Sequence, residues 1–165
     1  MMKQFDREGI QTEMLDVINE YPEIFLEPSE EVLQWYYAYK DSGGVPSKKE
    51  DLVNLRFGIE FGNGWKEVLR GFCKDIREFV NAQKELGINI SYKSCIMKEK
   101  FGMFTPQGDL EGDTSKELYE EFYKITNKWE EESLKTCETC GKPGEVRRGG
   151  WVKVRCDECN SNRMG

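Results

Sequence analysis

Four of the chain's six cysteines fall in two pairs, Cys137-Glu-Thr-Cys140 and Cys156-Asp-Glu-Cys159, with fifteen residues between the pairs. Two residues between thiolates let one tight turn aim both sulfurs at a single ion. Two such turns supply four soft donors in a closed tetrahedron, the arrangement zinc favours. The spacing predicts a zinc ribbon in which Cys137, Cys140, Cys156 and Cys159 hold a structural Zn2+, with iron as the competing metal for similar knuckles. Four thiolates leave no coordination position for water or substrate, so the expected metal shapes the chain and does no chemistry. A ribbon this small holds little core without its ion.

Histidine chemistry is excluded outright. The chain has no histidine, which removes Ser-His and Cys-His nucleophiles, HExxH sites, His-ligated catalytic zinc and histidine pH switches. Carboxylates, lysine and tyrosine remain, but the pairs Glu30/Glu31, Glu120/Glu121 and Glu130/Glu131/Glu132 read as solvated helix faces. The segment Gly58-Ile-Glu-Phe-Gly-Asn-Gly-Trp65 is glycine-rich and opens a helix, so its backbone N–H groups can be aimed at an anion. It lacks both GxxxxGK[ST] and GxGxxG. Glu60, Asn63 and Trp65, with Lys98 from a nearby strand end, form a candidate ligand loop in which burial would raise the Glu60 pKa. The competing reading is a turn whose glycines let Trp65 pack closely.

Charge is segregated. The whole chain carries 24 basic and 31 acidic residues, net −7, but from Cys137 onward there are six basic against four acidic. Arg147, Arg148, Lys153 and Arg155 gather around Trp151, a pattern suited to phosphates and base stacking, to protein contact, or simply to solvating a small ribbon. Four thiolates with Zn2+ add two negative charges and cancel the local surplus.

The elements that must position these groups follow from periodicity. A helix is expected over Arg7–Tyr21, with Met14, Val17, Ile18 and Tyr21 on one face, ended by Pro22 and a buried corner through Phe25. Ser29 caps a second helix carrying Trp35, Tyr36, Tyr37 and Tyr39, which ends in the loop Asp41–Pro46. The longest apolar stripe runs through Trp65, Val68, Leu69, Phe72, Cys73, Ile76, Phe79 and Val80, predicting a helix over Trp65–Leu86 with Cys73 in the core. Alternation from Ile88 to Ile96 predicts a strand with Ile90, Tyr92, Ser94 and Ile96 inward. A short strand over Phe101–Thr105 would return before a turn at Pro106–Asp109. Thr114–Leu134 is a last helix, and Glu145–Arg155 a hairpin turning at Gly149-Gly150.

The expected fold is α+β: a mainly helical domain over residues 1–136 with a small β-hairpin, then a zinc ribbon over 137–165. No run of apolar residues suffices to span a bilayer, and the first residues carry no signal-peptide core, so a cytoplasmic protein without membrane contact is expected.

Tyr21-Pro-Glu-Ile-Phe25, Gly58–Trp65, Lys98-Glu-Lys-Phe-Gly102, Glu131-Glu-Ser133 and the ribbon with its Gly149-Gly-Trp151 together resemble a family of uncharacterised phage and prophage proteins with a terminal zinc ribbon. The resemblance implies an accessory phage protein in a bacterial host cytoplasm, and small proteins of that kind often bind and inhibit a host factor. The expected function is accordingly a non-catalytic inhibitor of a host protein complex, of anti-defence type. The alternatives are a nucleic-acid-binding ribbon protein using Arg147, Arg148, Trp151, Lys153 and Arg155, and a nucleotide or small-anion binder at Glu60, Asn63 and Lys98.

Overall fold

A computed structural model describes residues 13–25 and 59–162. The expected second helix, with Trp35, Tyr36 and Tyr37, and the loop Asp41–Pro46 lie outside the described residues, as do Arg7–Thr12 and Gly58. In chain order the elements are α1 (Glu13–Glu20), β1 (Ile59–Glu60), a 3-10 turn (Asn63–Trp65), α2 (Lys66–Glu85), β2 (Ile90–Lys100), β3 (Met103–Gly112), α3 (Lys116–Ser133), β4 (Glu145–Arg147), β5 (Lys153–Arg155) and α4 (Asp157–Asn162). The architecture is a mix of α and β: two long helices beside a three-stranded sheet, with a cysteine cluster and a two-stranded ribbon near the C-terminus.

The helices lie where apolar spacing puts them. Val68, Leu69, Phe72, Cys73 and Ile76 are buried on one side of α2, and Trp65, which ends the 3-10 turn before it, is buried with them. That helix ends because Gly87 adopts φ +80°, letting its N–H and that of Ile88 turn back to the Lys84 and Gln83 carbonyls. α3 starts at Ser115, whose hydroxyl accepts the Leu118 N–H at 3.2 Å. It buries Leu118 and Phe122 and lays Trp129 across Gly71 of α2, where a Cβ would lie 2.0 Å from the indole ring. The same indole donates to Asp75 at 2.9 Å.

The sheet has the order β1-β2-β3, with β1 parallel and β3 antiparallel to β2. The corner after α1 joins it: the Ser94 N–H donates to the Ile24 carbonyl at 2.8 Å, and Phe25 bridges Ser94. Phe61, Trp65, Phe72, Tyr92 and Phe104 pack with tilted or edge-to-face rings at centroid separations of 5.5–6.4 Å, forming the centre of the core.

The hairpin is longer than its sequence suggests, and its turn lies elsewhere. Lys100 pairs Met103, so the connection is Phe101-Gly102, with φ of +53° and +83° as a type I′ turn requires. Pro106–Asp109, read above as a turn, is inside β3 opposite Lys93–Met97. Among the described residues β3 is an edge strand bonded only to β2, which tolerates a residue without an N–H. Gly108 is there because a Cβ would lie 2.5 Å from the Tyr92 hydroxyl and the Lys93 carbonyl. A register shift between Ser94 and Ile96 also reverses the inward face: Tyr92 and Ser94 are buried before it, Met97 after it, and Ile96 is only half-buried.

Candidate metal centre

The sulfur atoms of Cys137, Cys140, Cys156 and Cys159 all lie within 4.8 Å of one another, and those of Cys140 and Cys156 are 3.6 Å apart. Four sulfurs at a Zn–S distance of 2.3 Å stand about 3.8 Å apart in a tetrahedron, so this donor set fits a metal ion such as zinc. Each pair has its own local fold. In the first, the Gly141 N–H returns to the Cys137 carbonyl at 2.9 Å, with φ +82° at Gly141, and the Cys137 N–H reaches the Lys142 carbonyl at 2.8 Å. The second pair is the start of α4, where the Cys159 N–H donates to the Cys156 sulfur at 3.4 Å.

The chemistry of the donors favours a cation among them. Burial works to raise the Cys137 pKa, yet N–H groups of Cys156, Cys140 and Thr139 directed at its sulfur outweigh that and bring it to about 6. Cys159 moves the other way, to about 12, chiefly through its contacts with Cys156 and Cys140. Adjacent sulfurs resist sharing so much negative charge, and a dication at their centre removes the conflict.

The first knuckle is fastened to the body of the protein by the glycine-rich segment. The Gly64 N–H donates to the Glu138 carbonyl at 2.8 Å, the Gly62 N–H to the Glu138 carboxylate at 3.1 Å, and the Trp65 indole to the Thr136 carbonyl at 2.9 Å. A Cβ on Gly64 would lie 2.2 Å from the Cys137 carbonyl oxygen, and one on Gly62 2.5 Å from that of Glu138. Of the N–H groups read above as able to meet an anion, that of Gly62 is given to the Glu138 carboxylate and that of Gly64 to the Glu138 carbonyl, inside the Cys-x-x-Cys turn itself. A second fastening is ionic. Lys153 of β5 meets Glu99 of β2 at 3.1 Å and Glu138 at 3.3 Å, with the Glu99 and Glu138 side chains only 8% and 9% exposed. Val154 is fully buried and belongs to the same core as Phe61 and Phe104.

The remaining sequence candidates are dispersed. Trp65 is a core residue, 0% exposed, and Asn63 stands in the 3-10 turn before it. Glu60 is exposed, not buried as supposed, because only Ile59 of the two-residue strand β1 faces the core. It sits beside Lys98 in the β1–β2 register. In the ribbon, Arg147 bonds the Arg155 carbonyl at 3.1 Å and Asp157 at 2.7 Å, and Lys153 is enclosed by its two glutamates. Arg155 is half-buried, whereas Arg148 and Trp151 are exposed at the tip. Glu99, Thr136 and Glu138 carry no sequence signal, since each is an ordinary polar residue until its long-range partner is known. No family model, curated protein or solved structure matches the chain. Among the described residues, no helix is long and apolar enough to cross a membrane.

Proposed function

We propose that this is a non-catalytic binding protein whose C-terminal zinc ribbon holds a structural Zn2+, and that it acts by occupying a partner protein complex, in the manner of a phage-encoded inhibitor of a host assembly in the bacterial cytoplasm. The observation that carries the reading is the filled centre. All four donors are cysteine sulfurs, so an ion there has no open position for substrate. The N–H groups that would serve a small anion at the glycine-rich segment are given to Glu138 instead. The chain also has no histidine, and its net charge of −7 suits a basic partner surface.

The zinc supplies rigidity and no chemistry. Cys137 and Cys140 fix the turn that presents Glu138 to Gly62 and Gly64, while Cys156 and Cys159 fix the start of α4. The test is capture of the full-length, metal-loaded chain with bacterial lysate treated with nuclease, then reconstitution of the captured complex from purified parts. Inhibition that saturates at stoichiometric amounts of this protein is the expected result. A partner altered by sub-stoichiometric amounts, with turnover, would reject the non-catalytic reading, and failure to form any complex would reject the partner.

A further inference from the structure

Two large aromatic side chains stand in solvent at the tips of two different hairpins. Phe101 is 79% exposed in the β2–β3 turn, and Trp151 is 72% exposed in the β4–β5 turn. The turns abut, since a Cβ on Gly102 would lie 3.1 Å from the Val152 side chain. Each aromatic is one residue from that contact, so chain geometry places their Cα atoms no more than about 15 Å apart. The abutment is locked from below by Glu99, which accepts the Gly102 N–H at 2.6 Å and meets Lys153 of the ribbon at 3.1 Å.

Phe101 is also in the wrong conformation for its type. It is the one non-glycine described residue with positive φ, at a turn position that asparagine, aspartate or glycine fills without strain. A strained backbone that displays an apolar ring to water points to use of the ring. The charges around it agree. Lys100 lies 6.0 Å from the Phe101 ring centre, Lys98 shares its strand face, and Arg148 is exposed beside the other turn. Among the described residues none of these three cations is ion-paired, while the nearby carboxylates of Glu99 and Glu138 are committed to Lys153.

We propose that these abutting turns form a binding platform for single-stranded nucleic acid. Phe101 and Trp151 stack on unpaired bases, and Lys98, Lys100 and Arg148 take the phosphates. An unpaired nucleotide carries a flat π-face and a negative charge in every residue, which matches the patch. An acidic peptide supplies the charge without the faces, and a duplex hides the faces. The site differs from the sequence-level basic patch, because Arg147 and Lys153 are internally paired and the body hairpin contributes half of it. It stands independently of the protein-partner reading.

The test is fluorescence anisotropy of labelled oligothymidylate and oligouridylate with the full-length, metal-loaded protein over a range of salt. Three phosphate contacts give a log–log salt slope of about −2. Trp151→Ala and Phe101→Asn should each weaken binding about tenfold or more, and Arg148→Glu should flatten the slope. Phe101→Asn relieves the turn, so its loss of affinity cannot be ascribed to unfolding. Parental affinity in the two aromatic variants, duplex bound as tightly as single strand, or binding of polyglutamate in place of the oligonucleotides would each overturn the proposal.

Discussion

Replacing Gly64 by alanine should loosen the metal centre although Gly64 is no ligand. The new Cβ would lie 2.2 Å from the Cys137 carbonyl oxygen and 2.6 Å from the Glu138 carbonyl, all backbone atoms that no rotamer change can move. Reaching even a tight contact of 3.0 Å displaces the knuckle by about 0.8 Å in a close-packed setting. A shift of that size takes the Gly64–Glu138 bond from 2.8 Å beyond hydrogen-bonding reach and strains the bonds of Gly62 and Trp65 beside it. At about 1 kcal/mol net for each bond, the loss of stability is about 2–4 kcal/mol. The assay is denaturant unfolding alongside zinc release to a chromophoric chelator. Gly87→Ala is the control: it is strained by its positive φ but meets nothing within 4 Å, so it should cost about 1–2 kcal/mol and leave zinc release unchanged. A Gly64→Ala protein within about 0.5 kcal/mol of the parent, releasing zinc at the parental rate, would refute the reasoning.

Lys153→Met strands two largely buried carboxylates and should destabilise the fold by about 2–3 kcal/mol, read by denaturant midpoint; an unchanged midpoint would deny the ion cluster a fastening role. Alkylation of the zinc-loaded protein, counted by mass spectrometry, should modify exposed Cys95 alone and gain four sites on chelation. Cys73 should resist until global unfolding, because burial pushes its thiol well above the ordinary value. Burial opposes the ionisation of Glu23, but its hydrogen bond and charge contact with Arg77 win and lower its pKa below 4.5. Its contribution to stability is therefore full above pH 4.5 and is lost as pH falls through the lower folded value. Glu23→Gln should flatten the stability profile in that acid window, and an unaltered acid limb would contradict the assignment.

Much of this was legible in one dimension, for reasons that particular residues make plain. The stripe from Trp65 to Ile76 and the two Cys-x-x-Cys pairs are local patterns whose meaning does not depend on distant partners. Strand phase was misread after Ser94 because a bulge costs one residue and leaves no compositional mark. Pro106 and Gly108 favour a turn locally, yet an edge position and the ring of Tyr92 place both within a strand, while Phe101 occupies a turn its own preferences disfavour. The fastening of the centre was hidden for a related reason. Glu99, Glu138 and Lys153 come from three segments, and only folding reveals that one lysine serves two glutamates. The glycines at 62 and 64 signalled close approach and available N–H groups without disclosing that the chain supplies its own acceptor.

On the function proposed above, the cysteine centre holds a structural zinc ion and is joined to the body, not an appendage. Hydrogen exchange of the intact chain, with one zinc bound and again after chelation, tests it at individual amides. Zinc removal should expose the Cys137 and Glu138 amides and, across the interface, those of Gly62 and Gly64, while the middle of α2 stays protected. Unchanged protection of all four in metal-free protein, or exposure confined to the ribbon with Gly62 and Gly64 still protected, would contradict the account.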